Sequence, residues 1–435
     1  MNISDFVKEL QWRGMLHDVM PDTQKHLLET MRSAYVGFDP TADSLHIGNL
    51  VPIMLLSFFQ KAGHKPYALV GGATGMIGDP SGKSSERNLL DEATLAHNQA
   101  CVGKQLSQFL DFSSGADNQA VMVNNYDWMK EFSFLDFIRN VGKHLTVNYM
   151  MAKDSVKNRL SGENADGMSF TEFTYQMVQG YDFLHLYKNN DCTLQMGGSD
   201  QWGNITTGTE LIRRIASGKG YALTCPLITK SDGSKFGKSE GGNVWLDPKR
   251  TSPYKFYQYW LNTSDQDATK YIKIFTFLDK QTIDDLISQH LGQEHTKGLQ
   301  KRLAQEVTTT VHGAAACSKA IEASTILFSK TAAQDINNID EDTFLSIFEG
   351  VPMASIAKSE FINGLDIIAA LAEKTGFLKS NGEARRALKE NSVSVNFTKV
   401  KEGHLIESTA LIHGKFILLQ RGKKNKFIIQ VAQPS

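Results

Sequence analysis

Two short polar motifs, far apart in the chain, carry residue types that can bind and stabilise a polyanion. The first is LHIGN, which includes His46 and ends at Asn49. The second is KFGKS, which runs from Lys235 to Ser239 and includes Lys238. Histidine can donate a hydrogen bond to a phosphate oxygen, and lysines in a glycine-rich loop can bring ammonium groups to a polyanion. Together the motifs predict a site for a nucleoside triphosphate.

The first motif stands between a run typical of a strand and a run typical of a helix. From Ser33 the segment SAYVGFD is apolar and β-prone, and VPIMLLSFFQKAG predicts a helix that closes at Gly63. His46 and Asn49 therefore lie where a strand leads into a helix, whose first N–H groups form a positive end. An imidazole there can stabilise the charge that builds as the α-phosphorus is attacked.

Two other phosphate-binding patterns are excluded by inspection of GGATGMIGDPSGKSS. A loop of the form GxxxxGK[ST] that used Lys83 would need glycine where Ile77 stands. No GxGxxG pattern fits the segment either. The sequence therefore predicts neither a P-loop protein nor a dinucleotide-binding protein.

A polar stripe is predicted on one helix of an otherwise Phe- and Met-rich region. In FTYQMVQGYDF, helical spacing places Tyr175, Gln179 and Asp182 at positions i, i+4 and i+7 of one face. A phenol, an amide and a carboxylate make a poor core surface unless they bind something polar. The stripe therefore indicates a polar ligand, with a solvated helix face as the alternative.

The elements that must position these residues alternate between strand and helix. PYALVGG, QAVMVNN and CTLQM predict further strands, and EATLAHNQACVGKQLSQFL predicts a helix. This alternation favours an α/β fold with a parallel sheet. A helical stretch at about 126–187 interrupts it, and helical periods dominate 251–330.

Composition limits the class of protein further. The 435 residues, 41% of them hydrophobic, suffice for several domains with ordinary cores, and no signal peptide or membrane span is predicted. Four scattered cysteines give neither a disulfide framework nor a zinc site, and we expect buried thiols in a cytoplasmic protein. From Val351 to Ser435 there are 13 Lys and Arg against 7 Asp and Glu. This basic tail indicates contact with a nucleic acid, although ordinary surface lysine would also explain it.

Taken in order, five segments resemble the bacterial tyrosyl-tRNA synthetases, a family of class I aminoacyl-tRNA synthetases. They are YVGFDPTADSLHIGN, GGATGMIGDPSGKSS, EFTYQMVQGYDF, LQMGGSDQWGN and KFGKS. LHIGN and KFGKS are similar to the HIGH and KMSKS elements of that class. The C-terminal segment around GEARRAL is similar to a small RNA-binding domain shared with a ribosomal protein. The resemblance covers the whole chain.

The resemblance implies an α/β fold in which a Rossmann-like parallel-sheet catalytic domain with a helical insertion precedes an α-helical domain and a small α+β RNA-binding domain. The implied divisions are the catalytic domain at 1–225, its insertion at about 126–187, a KMSKS-type loop and connector at 226–250, an α-helical anticodon-side domain at 251–330, a linker at 331–356 and the RNA-binding domain at 357–435.

The resemblance also implies residue roles, position by position. Tyrosine would be bound at its phenol by Tyr35 and Asp182, and at its ammonium and carboxylate end by Asp79, Tyr175, Gln179 and Gln201. ATP would be bound by Gly37, Asp39, Thr41, His46, Gly48, Gly198, Asp200 and Lys238. The catalytic residues would be His46, Asn49, Lys235, Lys238 and Ser239. The residues meeting pyrophosphate or tRNA would be Lys83, Arg87, Arg385 and Arg386.

Asn49 departs from the family pattern, in which the last position of HIGH is usually histidine. The asparagine amide still donates a hydrogen bond, but it cannot become cationic. We expect replacement by histidine to have a small effect on the activation rate, because the donor geometry is shared.

The implied enzyme attaches L-tyrosine to tRNA(Tyr) through tyrosyl-adenylate, with ATP and Mg²⁺ as a substrate complex and with neither zinc nor an organic cofactor. A homodimer is implied, with 132–147 as its candidate interface, and no membrane association. A tryptophanyl enzyme is one alternative, but indole offers no phenol to Tyr35 and Asp182. A non-catalytic RNA-binding protein is another, and the intact motifs argue against it.

Overall fold

Apolar segments form the central sheet of the first half of the chain, and all but the partly exposed edge strand at Val121–Asn124 are largely buried. Its five parallel strands lie in the order β3-β2-β1-β4-β5. They are β1 (Ser33–Phe38), β2 (Lys65–Val70), β3 (Val121–Asn124), β4 (Cys192–Gly198) and β5 (Tyr221–Cys225). The computed structural model describes residues 3–79, 90–154, 156–157, 168–234, 236–239, 242–328, 335–422 and 425–432. The predicted parallel sheet is confirmed.

Helices flank and connect these strands. They are α1 (Phe6–Arg13), α2 (Thr23–Glu29), α3 (Leu50–Lys61), α4 (Gly72–Ile77), α5 (Glu92–Leu106), α6 (Tyr126–Met129), α7 (Phe134–Asn140), α8 (Val147–Met151), α9 (Phe170–Asn190) and α10 (Trp202–Leu211). The stretch predicted as a helical insertion is thus helical where it is described. Its last helix, α9, begins at a capping box in which Ser169 and Glu172 each satisfy a backbone N–H of the other.

The next region contains a small hairpin and a series of helices. The hairpin is β6 (Lys238–Ser239) with β7 (Gly242–Asn243). The helices are α11 (Pro253–Leu261), α12 (Asp265–Phe275), α13 (Lys280–His290), α14 (Gly298–His312), α15 (Ala314–Phe328) and α16 (Glu341–Ile347). None of the described helices is long and apolar enough to cross a membrane.

The C-terminal region is a second, mixed sheet with one longer helix beside it. The strand order is β11-β10-β13-β14-β8, and only β14 and β8 run parallel. The elements are β8 (Met353–Ala357), β9 (Leu365–Asp366), a π-helical turn at Ala369–Glu373, α17 (Asn381–Lys389), β10 (Val393–Val395), β11 (Thr398–Lys399), β12 (Leu405–Ile406), β13 (Phe416–Arg421) and β14 (Asn425–Ala432). This agrees with the predicted small α+β domain.

Packing divides the chain into two units at places other than the predicted boundaries. The first unit is Met1–Thr251 with Tyr259–Val311, and the second is Ser252–Gln258 with His312–Ser435. Helix α15 belongs to the second unit because its Ala323 and Ile326 share one apolar core with Phe344, Phe416 and Ile428. The predicted boundaries at residues 330 and 356 remain a prediction about the family's domains.

The cysteines differ from expectation at one position. Cys192, Cys225 and Cys317 are buried cysteines outside any disulfide, whereas Cys101 on α5 is only partly buried. Helix α5 presents one face to solvent, so a thiol at its margin keeps some exposure.

Candidate active site

A cleft of about 620 Å³ lies beside the carboxyl ends of β1 and β4, where the strand order of the parallel sheet reverses. All residues predicted to bind the substrate tyrosine line this cleft: Tyr35, Asp79, Tyr175, Gln179, Asp182 and Gln201. Residues predicted for ATP or catalysis also line it: Gly37, Asp39, His46, Gly48, Asn49, Gly198 and Asp200. Thr41, also predicted for ATP, lines an adjoining cavity of about 530 Å³ together with His46 and Asn49.

One end of the cleft offers a donor and an acceptor that suit a phenol. Asp182 is buried, and its two oxygens accept hydrogen bonds from Asn125 Nδ2 at 3.0 Å and Trp128 Nε1 at 2.9 Å. The hydroxyl of Tyr35 is buried and has no partner among the described residues. An unpartnered buried hydroxyl is costly, so this geometry favours a ligand that supplies a partner.

Burial changes the protonation of this end. Loss of water raises the pKa of Asp182 to about 7, although the hydrogen bonds from Asn125 and Trp128 act in the opposite direction. Burial also raises the pKa of Tyr35 well above its ordinary range. Tyr35 is therefore an uncharged donor at neutral pH, whereas Asp182 loses its proton close to neutral pH.

The opposite side of the cleft is rich in carboxylates. Tyr175 Oη donates to Asp39 Oδ2 at 2.9 Å, and Gln201 Nε2 donates to Asp79 Oδ2 at 2.7 Å. The amide oxygen of Gln179 is buried without a partner among the described residues. Carboxylates and an amide oxygen are acceptors, so this side suits an ammonium group.

The LHIGN segment fixes the orientation of its histidine by local hydrogen bonds. His46 precedes a single turn at Ile47–Asn49 that leads into α3, and its Nδ1 accepts from Gly48 N–H at 3.0 Å. In return, Asn49 Oδ1 accepts from His46 N–H at 3.0 Å. With Nδ1 acting as an acceptor, the proton of the neutral imidazole lies on Nε2.

Gly48 is required for this arrangement. A Cβ atom at this position would lie 2.7 Å from Cε1 and 2.9 Å from Nδ1 of His46. Any larger residue would displace the imidazole from its backbone partner.

The segment that follows the second motif pairs with the first motif through backbone hydrogen bonds. Ile47 N–H donates to Val244 O at 2.9 Å, and Leu246 N–H donates to Leu45 O at 2.8 Å. The β6–β7 hairpin extends from this pairing, and a Cβ atom on Gly237 would lie only 3.5 Å from the backbone nitrogen of Gly48. The structure therefore brings the main chains of the two motifs together.

The remaining predicted site residues are not among the described residues that line the cleft. Lys83, Arg87 and Lys235 lie outside the described residues, as do the side chains of Lys238 and Ser239. Arg385 and Arg386 are exposed on α17 of the second unit, where Arg385 Nε donates to Glu402 at 3.2 Å. Their predicted contacts with pyrophosphate or tRNA stay predictions.

Sequence reasoning missed Thr74, Asn125, Trp128 and Gln195. Asn125 and Trp128 hold Asp182, and Thr74 contacts both Asn125 and Asp39. Gln195 is buried in β4 opposite Tyr35 and lines the cleft. A signal existed for Asn125, since it is the polar residue that ends a predicted strand, at the sheet edge where α/β proteins bind ligands.

No metal-binding cluster occurs within the described ranges. Specifically, these ranges hold no group of three or more His, Cys, Asp or Glu side chains arranged to bind a metal ion. Among the carboxylates of the cleft, Asp39 accepts from Tyr175 and Asp79 accepts from Gln201.

Comparison with known families covers nearly the whole chain. A family model described as tRNA synthetases class I (W and Y) matches residues 29–329. A second, described as the tyrosine–tRNA ligase SYY-like C-terminal domain, matches residues 343–429. The two matches follow one another along the chain, and the second corresponds to the C-terminal α+β region.

Individual proteins resemble the chain over the same extent. A tyrosine–tRNA ligase of Flavobacterium johnsoniae is 64% identical over 99% of this chain and 100% of its own length. A tyrosine–tRNA ligase of Bacteroides fragilis is 60% identical over 98% of this chain and 99% of its own. A truncated mitochondrial tyrosyl-tRNA synthetase of Aspergillus nidulans superposes with a TM-score of 0.67 at 30% identity, over 75% of this chain and 94% of its own.

Proposed function

This chain belongs to the tyrosine–tRNA ligase family of class I tRNA synthetases, and from that premise we propose that its cleft activates L-tyrosine with ATP and transfers it to tRNA(Tyr). One observation supports this assignment of the site. The six residues predicted to bind tyrosine and the LHIGN segment all line one cleft. Their side chains supply acceptors for an ammonium group at one end and a donor with an acceptor at the other.

Tyrosine would bind with its phenol between Tyr35 and Asp182. Asp182 accepts from the phenol hydroxyl, and Tyr35 donates to the phenol oxygen, which gives the buried Tyr35 hydroxyl the partner it otherwise lacks among the described residues. Phenylalanine would leave the Tyr35 hydroxyl without this partner and would offer no donor to Asp182, which would keep only its bonds from Asn125 and Trp128. Rejection of phenylalanine by tyrosyl-tRNA synthetases is itself the well-known example of a site that selects a substrate for its hydroxyl group.

The ammonium group would lie among Asp79, Tyr175 and Gln179. Tyr175 donates its own proton to Asp39, so its oxygen presents lone pairs to the cleft. The oxygen of Gln179 offers another acceptor. The tyrosine carboxylate would then meet ATP beside His46 and Asn49, which line the same cleft.

In the first step, the tyrosine carboxylate attacks the α-phosphorus of ATP, and the bond to the β-phosphate oxygen breaks. The products are tyrosyl-adenylate and pyrophosphate. His46 Nε2–H would donate to the phosphate oxygens as charge moves to the leaving group, with Lys235 and Lys238 adding positive charge. We propose that Mg²⁺ enters bound to ATP and that no protein nucleophile takes part.

In the second step, a terminal ribose hydroxyl of tRNA attacks the activated carbonyl and AMP leaves. Lys83 and Arg87 would meet pyrophosphate or the acceptor end, and Arg385 and Arg386 would bind tRNA phosphates. The charge of the C-terminal tail supports that role, since lysine and arginine contribute most of the affinity for a nucleic-acid backbone. We place the enzyme in the cytoplasm, where its tRNA substrate is used.

We also propose a homodimer formed through the helical stretch after β3. Phe134, Leu135 and Val147, within the candidate interface at 132–147, are each more than half exposed. Large apolar side chains left exposed within one short segment are typical of a protein interface. Light scattering should give a dimer for the wild-type chain and a monomer for Leu135→Asp, with Leu291→Asp, which alters an equally exposed leucine of the helical region, as the matched control.

Amino-acid-dependent exchange between pyrophosphate and ATP tests the proposed function directly, because it isolates the first step and needs no tRNA. We expect exchange with tyrosine and none above background with phenylalanine or tryptophan. Exchange with tryptophan would overturn the phenol assignment. Absence of exchange by the folded protein with any of the three would overturn the assignment as an activating enzyme.

A further inference from the structure

Thr74 lies in α4 between the two ends of the cleft and is 3% exposed. Its hydroxyl donates to Asp39 Oδ1 at 2.7 Å, on the ammonium side. The same oxygen lies 3.1 Å from Asn125 Nδ2, on the phenol side. One side chain that does not itself serve as a predicted ligand of tyrosine therefore contacts both ends.

The direction of these hydrogen bonds follows from a backbone contact. Ala73 N–H can only donate, and it donates to Asn125 Oδ1 at 2.7 Å. This fixes the amide so that Nδ2 faces Thr74 and Asp182, and both amide hydrogens are used. Thr74 accepts one of them, so its single hydroxyl hydrogen goes to Asp39.

The effect of Thr74 continues beyond Asp39. One carboxylate oxygen of Asp39 accepts from Thr74 and the other accepts from Tyr175 Oη at 2.9 Å. Tyr175 therefore donates its proton to Asp39 and presents lone pairs to the cleft. If the carboxylate turned, Tyr175 would be able to turn its hydrogen toward the site of the ammonium group.

Gly71 leaves the space that this contact needs. A Cβ atom on Gly71 would lie 2.2 Å from Asp39 Oδ1 and 2.2 Å from Thr74 Oγ1. The backbone before α4 is therefore shaped so that these two oxygens can meet.

We propose that Thr74 is a positioning residue that links recognition of the two ends of tyrosine: its hydroxyl holds the amide of Asn125 against Asp182 and the carboxylate of Asp39 against Tyr175. The inference rests on the proposed function, because it assumes that tyrosine occupies this cleft. It predicts that one hydroxyl group affects selection for the phenol and selection for the ammonium group together.

Four ligands separate the two effects. Tyramine and phenethylamine differ only by the phenol hydroxyl, and tyrosine and 3-(4-hydroxyphenyl)propionate differ only by the ammonium group. Equilibrium dialysis of all four should be carried out with wild-type protein, Thr74→Val and Thr74→Ser. Valine keeps the branched shape without the hydroxyl, and serine keeps the hydroxyl without the methyl group.

Two preferences are compared: that for tyramine over phenethylamine, and that for tyrosine over 3-(4-hydroxyphenyl)propionate. We expect Thr74→Val to lower both by at least about tenfold, since Asn125 and Asp39 each lose a hydrogen bond. Thr74→Ser should stay within about threefold of wild type for both, well inside the tenfold step of about 1.4 kcal/mol. Thr276→Val is the matched control, because Thr276 is a buried threonine whose hydroxyl donates to Ile272 O away from the cleft. It should change neither preference.

Each other outcome decides against the proposal. A change at only one end would overturn the link, and equal losses in Thr74→Val and Thr74→Ser would assign Thr74 a purely steric role. If Thr74→Val does not fold, Thr74→Ala against Thr74→Ser makes the same comparison. Wild-type protein that binds no tyrosine would refute the proposed function, whereas tyrosine binding with unchanged preferences in Thr74→Val would refute only the role of Thr74.

Discussion

The indole Nε1 of Trp128 donates a hydrogen bond of 2.9 Å to Oδ1 of Asp182. Asp182 is 1% exposed, so this bond and the one from Asn125 replace the water that a carboxylate would otherwise bind. The phenol end of the cleft therefore depends on residues that lie just after β3, far along the chain from Asp182.

Trp128→Phe should raise KM for tyrosine in pyrophosphate exchange by about tenfold or more, because hydrogen bonds to charged groups contribute about 1.5–3 kcal/mol. Phenylalanine preserves an aromatic ring against His185, on which Trp128 stacks at 4.4 Å. Trp12→Phe, which removes an indole hydrogen bond to Glu9 in α1, is the control and should leave KM unchanged. An unaltered KM in Trp128→Phe would mean that Asn125 alone suffices.

Tyrosine activation should depend on pH through Asp182. Burial raises the pKa of this carboxyl to about 7, and only the ionised form keeps both oxygens as acceptors. We expect kcat/KM for tyrosine to rise as pH increases toward 7 and to level off above it, since kcat/KM reports groups of the free enzyme. In Trp128→Phe the midpoint should move to higher pH, because a bond that stabilises the carboxylate is lost.

The same shift has the opposite sign for folding. The unfolded chain releases the Asp182 proton near its ordinary pKa of 3.8, whereas the folded chain holds it to about 7. The folded state therefore binds more protons in that window, and this group's contribution to stability falls as pH rises through it. A kcat/KM profile that is flat from about pH 5 to about pH 8 would contradict the raised pKa of Asp182, on which both statements rest.

Asn49→His should change the rate of tyrosyl-adenylate formation by less than about tenfold, or under about 1.4 kcal/mol. Asn49 Oδ1 accepts from His46 N–H, and a neutral histidine can accept there through a ring nitrogen. Asn49→Ala has no acceptor at this position and should form the adenylate more slowly than wild type and Asn49→His. Pre-steady-state measurement of adenylate formation distinguishes them, and a change of about a hundredfold in Asn49→His would show that charge at this position matters.

Arg13→Met should destabilise the first unit by at least about 1–3 kcal/mol, the usual cost of leaving a buried hydrogen-bonding group unpaired. The guanidinium is 3% exposed and donates to three carbonyls at and beyond the end of α12, those of Lys273, Thr276 and Leu278. It also stacks 4.2 Å from the ring of Phe58 on α3. Urea unfolding measures the loss, with Arg32→Met as a control because Arg32 pairs with Glu29 near the surface.

Retained activity in the folded fraction of Arg13→Met would separate this structural role from catalysis. If Arg13→Met unfolds at the same urea concentration as wild type, the three carbonyls must find water or other donors. The stability of Arg13→Lys toward urea should lie between those of wild type and Arg13→Met, because lysine keeps the charge but cannot reach three acceptors in one plane.

The sequence predicted the residues that periodicity and motif position can reveal. Tyr175, Gln179 and Asp182 share a face because α9 is regular, and His46 lies before α3 because strand, turn and helix follow in order. Thr74 and Asn125 were not predicted, because their role arises where β2 and β3 end side by side. Nothing local to either residue shows which neighbour its hydrogen bonds reach.

Domain packing escaped prediction for a related reason. Helix α15 has the same helical period as its predecessors, and its period does not reveal that Ala323 and Ile326 share a core with Phe416 and Ile428 of the second sheet. Sequence pattern identifies an apolar face, whereas the partner of that face depends on the whole fold.

The antiparallel bridge between His46 and Trp245 has a consequence for synthesis of this protein on the ribosome. The two residues are separated by about 200 positions, so the LHIGN segment lacks the segment that pairs with it until most of the first unit has been translated. A nascent chain released early would thus carry the residues of the phenol pocket without a finished phosphate-binding side. Premature termination before Trp245 should yield chains with no capacity to consume ATP.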